Sequence, residues 1–247
     1  MRKTNCLFLL CFYSACSPLF SQTVSGDSVS EKYSVNKAVD FYYSAAGKST
    51  HLYNGGEHPG YNSFNVIGHP YLDTPALQSG KVFYDGTEYE NIPLMYDITD
   101  DAVIAKFSLL PDNNIRLVHE KIESFSFGAH LFVKLIPNAK EKDIIATGFY
   151  DRTYQGKTSV FIKRKKILRD DPVENGELKS RYRQVDEYFI KKDENYFAIT
   201  SYELLLKIFA EKSSDVKKYL RKNKIKFKKT PERTITEAAK YYDQLTN

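Results

Sequence analysis

The chain contains no tryptophan, and its three cysteines, Cys6, Cys11 and Cys16, all fall at its N-terminal end. Beyond position 16 there is no thiol to form a disulfide, serve as a nucleophile or hold a metal as thiolate. Long apolar runs are also missing. After the N-terminus no stretch approaches the ~18 consecutive apolar residues that a membrane-crossing helix requires, so no transmembrane span is expected in the mature chain. The recognisable chemical signatures are absent as well: there is no nucleophile elbow, phosphate-binding Walker loop, dinucleotide fingerprint or calcium loop. None of the five histidines is paired with another at i, i+4. His119-Glu120 opens as a zinc helix would, but position 123 is Glu and the flanking residues alternate as in a strand, so the two-histidine zinc motif fails. No cofactor, metal or catalytic residue is expected.

What remains is an ordinary globular composition, 42% hydrophobic and 27% charged, with 19 Tyr and 16 Phe that favour strands. The first 21 residues read as a targeting segment. Arg2 and Lys3 precede the apolar run Leu7–Tyr13, and small or neutral residues occupy Ser14–Ser21. Cleavage after Ser21 would leave Gln22 first. Acylation at Cys16 is the competing reading, although Tyr13 stands where an aliphatic residue is usual. Either way the chain is read as exported, to the periplasm or cell envelope.

Residues 22–199 read as a short N-terminal helix followed by an antiparallel meander. Val35, Ala38, Val39 and Tyr42 have helical spacing within Ser34–Ala46. The meander is organised around Gly80–Phe107. There Asp85-Gly86 supplies a two-residue type I′ turn and sets Tyr84 against Thr87, Phe83 against Glu88, Val82 against Tyr89 and Lys81 against Glu90. Eight to ten short strands joined by tight turns imply an open curved sheet or a partial barrel. At Thr200 the period changes to 3.6, and residues 200–247 read as a helical subdomain packed on the sheet. Thr200–Glu203 is a capping box, Ser213 opens a second helix, and Thr230-Pro231-Glu232 a third. The class implied is α+β.

Charge is uneven. Of a formal net charge of +5, residues 201–247 carry 12 Lys/Arg against 6 Asp/Glu, or +6. Lys217, Lys218, Arg221 and Lys222 head a run that continues through Lys224, Lys226, Lys228 and Lys229, and such a run attracts phosphates or anionic lipid head groups. Nucleic acid is not expected, because the targeting segment exports the chain. The plainer reading is a solvated helix face whose charges pair with Glu211, Asp215 or Glu232. Lys163–Lys166 reads as a strand end whose lysines discourage edge association. Tyr53, Tyr61 and Tyr71 are candidates for stacking on sugars, and His51, His58 and His69 read as loop residues.

Tyr53-Asn54-Gly55, Tyr84-Asp85-Gly86 with Tyr89-Glu90-Asn91, Tyr96-Asp97, and Arg221-Lys222-Asn223-Lys224 before Phe227 together resemble a group of exported proteins common in the Bacteroides lineage. That resemblance implies an envelope location and a single architectural unit, and it carries over no activity and no functional residue. The expected function is a non-enzymatic binding or structural module of the cell envelope, with an envelope protein, anionic lipid or glycan as partner. The alternative is an envelope hydrolase or lipid-handling protein with a site in the concavity of the sheet. The export reading predicts an envelope protein with the intact mass of Gln22–Asn247, less ammonia if Gln22 cyclises, and no reaction with thiol reagents. A mass that includes an acyl group on Cys16 would contradict it.

Overall fold

A computed structural model describes residue 37 and residues 49–61, 66–106, 114–172 and 178–246. The chain divides into two units, Met1–Ala45 and Ala46–Asn247. Only Lys37 is described in the first, and every element named here belongs to the second. After a single helical turn, α1 (Ser49–Leu52), come β1 (Gly56–His58), β2 (Val66–Ile67), β3 (Gln78–Tyr84), β4 (Thr87–Asp97), β5 (Ala102–Lys106) and β6 (Asn114–Arg116). They are followed by β7 (Ile122–Phe127), β8 (His130–Leu135), β9 (Gly148–Gln155), β10 (Ser159–Lys163), β11 (Lys166–Pro172), β12 (Leu178–Gln184), β13 (Glu187–Lys192) and β14 (Asn195–Ala198). Three helices close the chain: α2 (Tyr202–Ile208), α3 (Ser213–Lys222) and α4 (Pro231–Thr246). No helix among the described residues is long and apolar enough to cross a membrane.

Eleven strands form one sheet in the order β1-β6-β5-β4-β3-β7-β8-β9-β10-β13-β14, with every neighbouring pair antiparallel. A smaller sheet, β11-β12-β2, includes one parallel pairing, β12 with β2. The β3–β4 turn has Asp85 at φ 51° and Gly86 at φ 76°, the left-handed geometry that a type I′ hairpin demands. Its register sets Tyr84 opposite Thr87, Phe83 opposite Glu88 and Val82 opposite Tyr89. Between Val82 and Gly80 a bulge intervenes, with Asn91 at φ 57°, so that Gly80 faces Ile92. The expected pairing of Lys81 with Glu90 is therefore displaced in the backbone, although the two side chains still meet in an ion pair.

The large sheet curls strongly. The β4–β5 turn presents Asp101, whose carboxylate accepts from the Phe149 amide of β9 at 3.3 Å and lies 2.8 Å from Lys163 Nζ of β10. The Lys166 amide also donates to the Ile98 carbonyl at 3.3 Å. These strands are several places apart in the sheet, so only pronounced coiling can bring them together. Gly148 admits the approach: a Cβ there would lie 2.3 Å from the Asp101 carboxylate and 2.5 Å from Lys163 Nζ. The interior of the curl is filled by Tyr84, Tyr96, Phe125, Phe132 and Phe149, all fully buried, with Tyr96, Phe125 and Phe132 rings 4.7–5.0 Å apart. Each such side chain contributes about 1.5–3 kcal/mol on burial. A second core joins Val160 and Ile190 of β10 and β13 to Leu205, Val216, Leu220, Ile235 and Ala239 of the helices.

The α+β description with a short N-terminal helix is corrected by this architecture. The described residues are mostly antiparallel sheet, 44% strand and 24% helix, in an eleven-stranded and a three-stranded sheet. Among them no N-terminal helix precedes the sheet beyond the one turn of α1, and Ser34–Ala46 lies outside the described residues except for Lys37. Fourteen strands form among the described residues against the eight to ten expected; one source of the difference is Arg169–Pro172, rich in charge and ending in proline, which pairs with Leu178–Arg181 as the end of a hairpin. The α2 cap is also one residue later than expected: Ser201 Oγ accepts from the Leu204 amide at 3.1 Å.

Gly86→Val tests the hairpin. A β-branched residue held at positive φ costs about 1–2 kcal/mol, which for a unit of this size lowers Tm by about 2–8 °C. An unchanged melt would mean that this turn does not set the register.

Candidate functional site

The four basic residues singled out in the sequence lie together. Val216 and Leu220 turn the apolar side of α3 into the second core, while Lys217, Lys218, Arg221 and Lys222 occupy the opposite arc and are exposed. At 100° per residue that arc spans about 140°. The helix ends in a Schellman arrangement, with Ile225 N–H donating to the Leu220 carbonyl at 2.9 Å and Lys224 N–H to the Arg221 carbonyl at 3.0 Å. Lys224 itself takes the left-handed position, φ 56°, where glycine is the usual residue. The chain then runs Ile225 buried, Lys226 exposed, Phe227 half-buried, Lys228 and Lys229 exposed. Phe227 leans on Tyr202 of α2, ring centroids 6.2 Å apart.

Two grooves meet at Phe227. One, of 670 Å³, has Tyr202, Ile225 and Phe227 as its apolar lining and Arg221, Lys226, Lys228 and Lys229 as its basic lining, together with Glu203. The other, of 740 Å³, runs from Phe227, Lys228 and Pro231 across Tyr188, Phe189, Ala198 and Ile199 to Ile144. Thr200, Phe227 and Lys228 line both.

Apart from Glu203, which lines the groove, the nearby acids are mostly engaged elsewhere. Glu232 bonds Arg164 at 2.8 and 3.1 Å, Glu211 reaches Lys192 at 3.4 Å, and Asp243 accepts from Thr158 and Tyr154 at 2.9–3.3 Å. Glu237 bonds Lys240 and Tyr219. Asp215 approaches Lys218 at only 3.9 Å. Among the described residues no carboxylate lies within 4.0 Å of Lys217, Arg221, Lys222, Lys224, Lys226, Lys228 or Lys229. Of the three acids that a merely solvated face would use, Asp215 alone approaches it, 3.9 Å from Lys218, while Glu211 and Glu232 pair with Lys192 and Arg164 instead.

Arg164, read in the sequence as part of a strand-end lysine cluster, is instead buried. Its guanidinium bonds Asp151 of β9 at 2.6 and 3.0 Å, Asp186 ahead of β13 at 2.9 Å, and Glu232 in the first turn of α4. Burial works against its charge, but the bonds to Glu232 and Asp151 outweigh that and raise its pKa further. Burial likewise pushes the Asp151 carboxyl up, yet hydrogen bonds from His130 and Arg164 hold it below the ordinary carboxylate range. Neighbouring Lys163 is lowered by burial, an effect that its ion pair with Asp101 offsets only in part. The signal for this burial was available: Val160-Phe161-Ile162 is apolar on both faces, so the strand is covered on both sides where Lys163 and Arg164 follow.

The other sequence candidates are dispersed. Tyr71 is buried and accepts or donates to His58 Nε2 at 2.9 Å, with the His69 ring stacked on its other side. His51 joins Lys121 on Asp85. Tyr53 packs against the first core and Tyr61 meets Tyr182 edge-on. A small cleft of 350 Å³ holds Asp101, His119 and Arg116, with His119 Nε2 3.5 Å from the Asp101 carboxylate. No Ser, Thr or Tyr hydroxyl lines this cleft to act as a nucleophile. No group of three or more His, Cys, Asp or Glu among the described residues is arranged to hold a metal. No protein-family model, curated protein or solved structure matches this chain.

His130 yields a pH test. Its Nδ1 lies 2.7 Å from Asp151 and its Nε2 3.2 Å from Asp73, and since carboxylates only accept, both bonds require the imidazolium. The bond to Asp151 raises the His130 pKa, against burial and the Arg164 charge. A raised folded-state pKa stabilises fully below the unfolded value of about 6.5, and that stabilisation is lost as pH rises through the folded value. Urea unfolding of wild type and His130→Gln at pH 5.5, 7 and 9 is expected to show a stability gap that narrows with rising pH. A gap independent of pH would mean that His130 is neutral in the fold.

Proposed function

We propose that this protein is a non-enzymatic binding module of the bacterial cell envelope, exported to the periplasm or envelope, whose α3–α4 face engages anionic lipid at a membrane surface. The observation that carries this reading is the run of seven basic side chains without a carboxylate partner among the described residues, set beside an apolar wall. Exposed cations without an intramolecular carboxylate stay available to an external anion. The alternative, an envelope hydrolase or lipid-handling protein, placed its site in the concavity of the sheet, and that volume is occupied by Tyr84, Tyr96, Phe125, Phe132 and Phe149. Among acidic envelope partners, lipid is favoured over glycan because the rim, which also carries Thr200, Ser201 and Tyr202, continues past Phe227 into the apolar lining of Phe189, Ala198 and Ile199.

Each Lys or Arg near an anionic membrane contributes about 1 kcal/mol, screened within a Debye length. The Lys217/Lys218/Arg221/Lys222→Gln variant is therefore expected to bind phosphatidylglycerol vesicles about two to three orders of magnitude more weakly at low salt. Wild-type binding should fall steeply on raising salt and be absent with phosphatidylcholine. Equal, negligible co-sedimentation of both proteins at low salt would end this reading.

A further inference from the structure

The two grooves divided by Phe227 differ in kind. Arg221, Lys226 and Lys229 stand at one end. Past Phe227 the floor turns apolar, with Phe189, Ala198 and Ile199 leading to the half-exposed Ile144. The two acids on that second groove are already neutralised, Asp186 by Arg164 at 2.9 Å and Glu187 by Lys165 at 2.8 Å. A basic pocket opening into an apolar trough with its carboxylates paired matches an amphiphile with one anionic head. It suits neither a free anion, which would leave the trough bare, nor an acidic glycan, whose hydroxyls would lose their hydrogen bonds against an apolar floor. The volumes, 670 and 740 Å³, fall within the usual range of small-molecule sites.

We propose that the grooves on either side of Phe227 hold a single anionic lipid, its phosphate among Arg221, Lys226 and Lys229 and one acyl chain in the trough between Ile199 and Ile144. This rests on the reading of the α3–α4 face as a surface for anionic lipid and adds extraction of one molecule to it. Glu203, on the wall of the head-group pocket, faces the phosphate and disfavours a doubly charged head over a singly charged one.

Because the chain has no tryptophan, Phe227→Trp installs a lone fluorescent reporter at the divide. Titrated with monomeric dihexanoyl phosphatidylglycerol, its emission is expected to shift to the blue and to report binding at least about tenfold tighter than for glycerol phosphate, a gain that two buried methylene groups suffice to give. Dihexanoyl phosphatidylcholine should bind more weakly than the phosphatidylglycerol. Ile144→Asn, a change at an exposed position that adds no charge, in the reporter background should erase the gain over glycerol phosphate while leaving co-sedimentation with phosphatidylglycerol vesicles within about twofold, since the surface charges are untouched. Equal affinity for the lipid and glycerol phosphate, with vesicle binding intact, would overturn the single-lipid site and leave the surface reading standing. Loss of vesicle binding in the wild type would remove both.

Discussion

The buried guanidinium of Arg164 is the constraint on which the rest of this molecule depends. It sits just past β10 and bonds a carboxylate from each of three places distant in sequence, Asp151, Asp186 and Glu232. With one side chain the second half of the large sheet, the approach to β13 and the first turn of α4 are fixed relative to one another. Removing one partner of a buried pair typically costs about 3–5 kcal/mol, a large share of the ~5–15 kcal/mol by which domains are stable. The arrangement also has an electrostatic consequence at a distance. Asp186 and Glu232 lie close to the basic segment, and because both are bonded to Arg164 neither is turned to the lysines.

The two halves of the structure therefore have different work. The curled end of the sheet buries its aromatic side chains against one another, and the Asp101–Lys163 pair holds the curl closed across the seam. It presents a filled interior. The helical end is held by apolar packing on Val160 and Ile190 and leaves its charge outward. The left-handed Lys224 fits this division: glycine at that position would relieve the backbone, and a lysine there adds to the positive rim at some cost in stability.

Local signals in the sequence read well where a short-range rule governs. The Asp85-Gly86 turn set the register of its hairpin for three pairs, because a two-residue loop leaves no freedom. Pro231 and Glu232 marked the start of α4 for a similar reason. The bulge at Asn91 and the pairing of Arg169–Pro172 were hidden, since neither follows from alternation. The buried ion network was misread altogether. Four consecutive basic residues, Lys163–Lys166, look like a solvated strand end, and only the tertiary approach of Asp101, Asp151, Asp186 and Glu232 makes burial of the first two affordable. At the basic face the charges themselves were legible in α3. That all of them but Lys218 go without a carboxylate among the described residues was not, because it depends on Glu211 and Glu232 being engaged elsewhere. Nor was the trough, whose floor comes from β13, β14 and the Ile144 turn.

The most direct test of the central claim, that the Phe227 face is the ligand surface, is amide hydrogen exchange in the presence of lipid nanodiscs. With phosphatidylglycerol discs, protection is expected over Thr200–Tyr202 and Asn223–Thr230, and it should be absent with phosphatidylcholine discs. The β7–β8 and β3–β4 turns should exchange as in the free protein. Protection located at those turns, or none at either end of the sheet, would contradict the account.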